Sequence, residues 1–453
     1  MAAIHVTGGL VASILGLTMS DAALGDAYRI PYHGAAAAGQ AEAFSAQADD
    51  PSALYYNPAG LAQLRGVQSS LGVNLVGGYT SFTSPTGFRS RGDVGETLAF
   101  PPPSNFYLTA NLEDLGFEAL GPLTVGLGMT SSYGLASRCP DPTPFEEKVT
   151  RAKLPMLDIK PTIAYRVTDM LSLGLGADIY TFASFIGSGG YEVQATSPVL
   201  GRTELSMNGT TAGINGSLLL TPWRSGDGKP QLNLALVYRG GAKLPLHGSY
   251  TSALGTLGAN SALELPRVIT PAVAVWPIRD AAHEWKLEYD MDFVGWDTFR
   301  SFGVQLSNGM SQNSATRWRS TYSLSAGTEF KWLSPDWLPA LDVALRGGYG
   351  RSATPIPSAT YTPVISDANW NTLALGLGAT CQPGGRFLGI IRCGGEGSFT
   401  PKTLGVDLAF QTNWFEPRTI GDSIDLCMNG TQCINGTYKT MIYVGSISFR
   451  MSY

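Results

Sequence analysis

The stretch "WKLEYDMDF", Trp285 to Phe293, alternates without a break: Trp285, Leu287, Tyr289, Met291 and Phe293 share one face, and Lys286, Glu288, Asp290 and Asp292 share the other. An extended chain sends successive side chains to opposite sides, so one greasy and one charged face are written into the covalent order. A soluble sandwich could use one such strand, but this chain repeats the pattern along nearly its whole length. "LSLGLGADI" sets Leu171, Leu173, Leu175, Ala177 and Ile179 against Ser172, Gly174, Gly176 and Asp178. "YSLSAGTEFKW", "LDVALRGGY" and "LGVDLAF" do the same, with Glu329 and Lys331, Asp342 and Arg346, and Asp407 on their polar faces. In "MIYVGSISFRMSY" a terminal face of Met441, Tyr443, Ile447, Phe449, Met451 and Tyr453 opposes Ser446, Ser448, Arg450 and Ser452.

Ionisable groups on one face and apolar runs ending in aromatics on the other fit a barrel with its outside in lipid and a polar or plugged lumen. Composition agrees: charged residues make 14% of the chain, against roughly 25% for a typical soluble domain. No window reaches the roughly 18 uninterrupted apolar residues of a spanning helix, so the chain would cross a membrane as strands. In lipid every backbone group must pair within the protein, and the sheet must close. Segments bounded by turn residues place candidate strands near 67–81, 104–112, 121–133, 153–166, 170–186, 205–222, 230–250, 266–278, 284–296, 320–332, 339–351, 370–381, 402–415 and 437–453. The expected fold is all-β, an antiparallel transmembrane barrel of about fourteen strands, an even number as bacterial single-chain barrels have. Its longer connections, at 82–103, 134–152, 187–204, 251–265, 297–319, 352–369 and 416–436, are expected to face outward.

Residues 1–25 read as an export signal, with an apolar stretch "GGLVASILGLTM" but no Lys or Arg in "MAAIH". Residues 26–66 then lack the alternation and would form a separate unit before the barrel, 67–453. Cys381 with Cys393, and Cys427 with Cys433, are close enough in sequence for local disulfides in an oxidising compartment, leaving Cys139 over. A net charge of −5 argues against nucleic acid as a partner. No cofactor or metal motif is present, and neither G-x-S-x-G, H-E-x-x-H nor a phosphate loop occurs; "GDS" at Gly421 to Ser423 is the weak trace of a hydrolase.

Five stretches, in this order, resemble the FadL family of outer-membrane transporters for long-chain fatty acids and other hydrophobic compounds. "GQAEAFSAQADDPSALYYNPAGL", Gly39 to Leu61, is similar to the N-terminal hatch that plugs that family's fourteen-stranded barrel. "TSSYGLA", Thr130 to Ala136, resembles the end of its third strand, "LVYRGGAKLPLHGSY", Leu236 to Tyr250, its seventh, and "LPRVITPAVAV", Leu265 to Val275, its eighth. "RGGYGRSATPIPSATYTPVISDANWNTLALGLG", Arg346 to Gly378, resembles its eleventh and twelfth strands with their Pro-rich loop, and the terminal aromatic strand resembles an assembly signature of outer-membrane barrels.

The resemblance implies passive uptake of hydrophobic compounds, with long-chain fatty acids as the main reading and aromatic or aliphatic hydrocarbons as the alternative. It implies lateral release into the membrane, with outer-membrane lipids, lipopolysaccharide, the barrel assembly machinery and the small-molecule substrate as partners, and a monomer. Asn57, Pro58 and Ala59 would sit at the kinked third strand beside the lateral exit. The capture groove would involve Tyr191, Val193, Val199 and Leu200 after strand five and Leu254, Leu257, Leu263 and Leu265 after strand seven, residues that could equally pack these loops together. A carboxylate substrate calls for a cation, because a buried unpaired charge is costly. Arg319, with Arg317, falls where the strand-ten cation would be. "YTFASF", Tyr180 to Phe185, offers Phe182 but no Lys or Arg on strand five, a departure that favours neutral or aromatic hydrocarbons. Lys286, Glu288 and Asp290 are expected as luminal ion pairs around the plug. A general porin, without a plug, and an outer-membrane hydrolase are the remaining competitors.

Overall fold

Fourteen strands form the wall of the computed structural model, which describes residues 26–94, 104–139, 142–182, 189–387, 389–394 and 400–453. The expected signal, 1–25, and the end of "YTFASF" lie outside the described residues. The wall strands are β1 (Val67–Thr83), β2 (Ser104–Asn111), β3 (Leu123–Thr130), β4 (Arg151–Arg166), β5 (Leu171–Phe182), β6 (Thr211–Arg224) and β7 (Pro230–Arg239). They continue as β8 (Arg267–Arg279), β9 (His283–Gly295), β10 (Thr321–Trp332), β11 (Leu341–Ser352), β12 (Trp370–Cys381), β13 (Thr403–Phe415) and β14 (Gly436–Ser452). Each pairs antiparallel with the next. β14 also returns to β1 in register from Gln68↔Ser452 to Thr83↔Thr437, so the wall has no free edge.

Alternation decides which way each side chain points. Leu71 and Leu75 of β1, Leu287 and Phe293 of β9, and Leu373, Leu375 and Leu377 of β12 are exposed on the outer surface. Their neighbours Asn74, Lys286, Glu288, Thr372 and Asp407 are buried toward the lumen.

The strand expected at 230–250 is two elements. β7 ends at Arg239, and after Gly240 and Gly241 the chain leaves the wall as Ala242–Ser252, which pairs with Gly255–Leu265. The strand expected at 205–222 divides in the same way, into Gly201–Asn208 and β6. These pieces build a raised sheet at one end of the barrel. The hairpin Tyr191–Ser197 with Gly201–Asn208 pairs with Ala242–Ser252, and the hairpin Ser301–Leu306 with Ser311–Ala315 adds to Gly255–Leu265 through Ala259↔Leu306. A freestanding hairpin has two faces as a wall strand does, so alternation alone carries no mark of where the wall stops. Disulfides join Cys381 to Cys393 beyond β12 and Cys427 to Cys433 in the connection before β14.

Residues 26–66 lie inside the barrel and touch much of its circumference. Ser448 Oγ of β14 accepts the Ala35 N–H (3.0 Å), Gln411 of β13 donates to the Ala38 carbonyl (2.7 Å), and Asn233 of β7 donates to the Ala46 carbonyl (2.8 Å). The Ala59 N–H donates to Ser217 Oγ of β6 (2.8 Å). Several wall glycines make room, Gly348 and Gly174 most tightly. A Cβ at Gly348 would collide with the Gln40 carbonyl and the Ala41 nitrogen, and one at Gly174 with Pro58 and the Ala59 nitrogen. Gly348→Val is therefore expected to leave the wall closed and unseat residues near Gln40. Hydrogen exchange should rise there while a heat-modifiable barrel band persists on a gel; unchanged protection at Ala38–Glu42 would contradict the close fit.

Candidate functional site

The wall is interrupted at the third strand. β3 pairs with β4 as far as Thr130↔Asp158, and pairing resumes at Gly134↔Pro155 with the short strand Gly134–Arg138. The break spends its backbone hydrogen bonds on the luminal segment instead of the wall. The Ile30 N–H donates to the Ser132 carbonyl (3.0 Å), and the Gly134 N–H donates to the Tyr28 carbonyl (2.8 Å). Ser132 Oγ also donates to Asp158 Oδ2 (2.5 Å), and Asp158 lies 2.9 Å from Lys160, which makes a second ion pair with Asp178. All three charged groups are sealed from solvent, so the break is tied directly to a buried charge cluster.

Tyr28 also anchors an aromatic cluster. Its ring lies edge-on to Trp296 at 4.8 Å and close to Trp318 at 5.7 Å and Tyr133 at 5.9 Å, and its hydroxyl donates to the Glu264 carbonyl (2.5 Å). Tyr133 reaches Tyr180 at 5.6 Å. Phe182, Leu263 and Leu265 pack into the same cluster, with Tyr191 at its margin. Beyond the break, Ala27, Phe82, Leu135, Cys139, Phe145 and Tyr438 line a mainly apolar cavity of about 110 Å³. That is less than the ~150 Å³ of a cavity that admits one benzene, so a larger guest requires movement.

Charge holds the rest of the segment. Asp290 of β9 accepts the N–H groups of Phe44 (3.2 Å) and Ser45 (2.9 Å), and Glu288 accepts those of Ala46 (2.6 Å) and Gln47 (3.1 Å). Lys286 pairs with Glu288 at 2.5 Å and donates to Gln47 Oε1 at 2.6 Å. His33 is buried, which holds its pKa well below the usual value. Its Nε2 lies 2.6 Å from the Ile30 carbonyl, so that nitrogen bears the proton and Nδ1 accepts from Thr130.

Burial pushes Glu42 up to about 8, against hydrogen bonds from Tyr56 and Gln411 and the field of Arg29; Asp292 adds to the rise. The folded state thus holds a proton that the unfolded chain releases once pH passes the ordinary carboxylate range. Stability from this group is present at low pH and declines as pH rises toward about 8. Urea midpoints in micelles should fall less from pH 5 to pH 9 in Glu42→Gln than in the parent. Equal slopes would acquit Glu42.

The residues singled out in the sequence are dispersed. Asn57, Pro58 and Ala59, expected at the kinked third strand, instead pack against β5 and β6: Gly174 leaves space for Pro58, which has no N–H to offer, and Ser217 takes the Ala59 N–H. Asn57 is spent within the segment, donating to the Ser45 carbonyl (2.8 Å) and capping the Pro58–Gln63 turn. The third-strand break belongs to Tyr28–Ile30. Val199 and Leu254 are exposed at adjoining hairpin tips, 72% and 84% accessible, with Leu200 beside them and Leu257 half-buried. Val193 packs with a different cluster, around Phe145 and Tyr438. Arg317 and Arg319 are both exposed, and Arg319 lines an outer cleft with Glu416 and Arg418, so neither enters the aromatic cluster. Cys139 is free, and burial pushes its thiol up to about 11. Ser423 accepts the Asp425 N–H in a turn. Tyr28, Tyr133, Trp296 and Trp318 were not picked out by sequence reasoning, although Trp318 stands between the two arginines that were.

Comparisons with known proteins agree on the architecture. A family model described as outer membrane protein transport protein (OMPP1/FadL/TodX) matches residues 16–385. A long-chain fatty acid transport protein of Salmonella typhi is 23% identical over 274 residues, 55% of this chain; the match spans 61% of that protein's length. Among solved structures, a Pseudomonas aeruginosa FadL homologue superposes with a TM-score of 0.69 at 16% identity, covering 94% of this chain and 100% of the other. The Pseudomonas putida toluene transporter TodX superposes at 0.54 with 15% identity, over 89% and 94% respectively.

Proposed function

Because this chain belongs to the outer-membrane transport protein family of FadL and TodX, we propose that it takes up hydrophobic compounds passively and releases them sideways into the membrane. Long-chain fatty acids are the main reading, in keeping with the names of its relatives in sequence. The carrying observation is the wall break whose backbone is hydrogen-bonded by Tyr28–Ile30 beside an apolar cluster, in a lumen otherwise filled by a buried segment and its ion pairs. An apolar molecule would be caught at the exposed tips around Val199 and Leu254, pass to the aromatic cluster, and leave where Tyr28–Ile30 yields the edge of the third strand. Burial of a sixteen-carbon tail, at about 0.8 kcal/mol per methylene, retains such a guest by on the order of 10 kcal/mol. Release therefore needs a moving part, and residues 26–66 act as that hatch. No catalytic step is involved.

A second reading, uptake of aromatic or aliphatic hydrocarbons, is favoured by the exposure of Arg317 and Arg319, which leaves the cluster without either cation. A double variant, Arg29→Cys with Tyr133→Cys, in a Cys139→Ser background, would tie the hatch to the break at the bridged pair. Oxidised cells should lose at least about nine-tenths of uptake of labelled fatty acid or toluene and regain it on reduction, as expected when the competent state is locked out. Uptake indifferent to the cross-link would sink the lateral route.

A further inference from the structure

The aromatic cluster contains two polar atoms that no described residue satisfies. Trp296 and Trp318 are essentially inaccessible, at 0% and 1% exposure, and neither indole N–H has a hydrogen-bond partner among the described residues. Their rings meet at 5.1 Å, in the cluster that Tyr28 closes from the luminal side. Buried indoles nearly always donate to an acceptor, and an unsatisfied donor in apolar surroundings costs about 1–3 kcal/mol. The nearby tyrosines do have acceptors: Tyr28 donates to the Glu264 carbonyl, and Tyr133 to that of Pro266. Trp318 is moreover held by a chain that accepts a left-handed φ of 50° at Arg317, where a β-carbon is unwelcome. The site thus offers two neutral donors in a hydrocarbon-like setting, with Arg317 and Arg319 turned out to solvent.

We infer that Trp296 and Trp318 form the polar end of the substrate pocket, and that it selects lipophiles carrying one uncharged oxygen acceptor: an ester, an alcohol or the protonated carboxyl of a fatty acid. This rests on the transport reading and deepens it. A pure hydrocarbon leaves both N–H groups unsatisfied. An ionised carboxylate satisfies them, but Arg29 is already paired with Asp26 and Asp292 and Arg239 donates to the Tyr55 carbonyl, so it is buried without a free counter-charge, which costs more than neutral donors return.

The test compares three ligands of equal chain length, a sixteen-carbon alkane, the methyl ester of the sixteen-carbon acid and that acid's carboxylate at alkaline pH, binding to purified full-length protein in micelles. The parent should bind the ester about tenfold tighter than the alkane, the worth of one or two hydrogen bonds. It should also bind the ester tighter than the carboxylate. Trp296→Phe and Trp318→Phe keep an aromatic six-membered ring, lose the pyrrole and delete the donor. Each should lower the ester-to-alkane ratio several-fold, and the double variant should bring it near one, with alkane binding falling less than ester binding. Equal binding of ester and alkane by the parent overturns the inference, whether or not the variants fold. So does a parallel loss of both ligands in folded Phe variants, which would make the rings packing elements only. If none of the three ligands binds, the transport reading fails with it.

Discussion

Glu288→Ala with Asp290→Ala is expected to open the lumen to ions. These two carboxylates of β9 receive four consecutive backbone N–H groups, from Phe44 to Gln47. Leaving a buried donor unsatisfied costs about 1–3 kcal/mol, so losing the cradle costs on the order of 5 kcal/mol. That is close to the ~5.5 kcal/mol that carries a two-state equilibrium from 1:99 to 99:1. Lys286, which pairs with Glu288, loses its partner in the same stroke. Bilayer conductance should rise by about an order of magnitude or more as the displaced population grows, and amide exchange at Phe44–Gln47 should lose protection. Glu288→Gln with Asp290→Asn keeps oxygen acceptors in place and should change both less. A quiet bilayer together with unaltered exchange would show that the segment is held by something other than this cradle.

Lys160→Met should be the most damaging single substitution in the wall. Lys160 is fully buried between Asp158 and Asp178, with the Tyr55 ring 5.3 Å from its ammonium. Deleting one member of a buried ion cluster leaves uncompensated charge and costs about 3–5 kcal/mol, more than the pairing itself contributes. Urea unfolding in micelles should show a correspondingly lower midpoint. Adding Asp158→Asn and Asp178→Asn should recover most of the loss, because two neutral amides can remain buried where two bare carboxylates cannot. A single variant as stable as the parent would mean that water reaches this site. Because Asp158 also accepts the Ser132 hydroxyl, Lys160→Met should loosen the third-strand break as well, read as increased exchange at Ser132–Gly134.

The wall was legible in the sequence because a lipid-facing strand must alternate, and its period is fixed by geometry. The alternation of "WKLEYDMDF" places Lys286, Glu288 and Asp290 inward, and they do lie inward. The raised hairpins were not separable from the wall by the same signal: "LPLHGSY" alternates as a wall strand does, and only Gly240 and Gly241 mark the departure. The site was harder to read. Asn57, Pro58 and Ala59 were assigned to the third strand, but which wall strand a luminal turn faces depends on the path of the chain inside, and a local motif does not encode that path. Arg317 and Arg319 drew attention as cations, whereas the side chain aimed inward is the tryptophan between them. Charge suggests chemistry, but burial decides which neighbour can take part, and burial here follows from a left-handed turn that no spacing rule announces.

The seam between β1 and β14 also sets a timetable. The two strands that close the wall are the first and last of its members to be synthesised, so the ring cannot shut until the final strand has arrived. Contacts this distant in sequence form late and slowly. Residues 26–66 precede all fourteen wall strands and end up encircled by them. They must be in position while the ring is still open, since afterwards a paired wall surrounds them. The segment is thus enclosed like cargo in a vessel built around it, and an error in its path could be corrected only before the last plank is set.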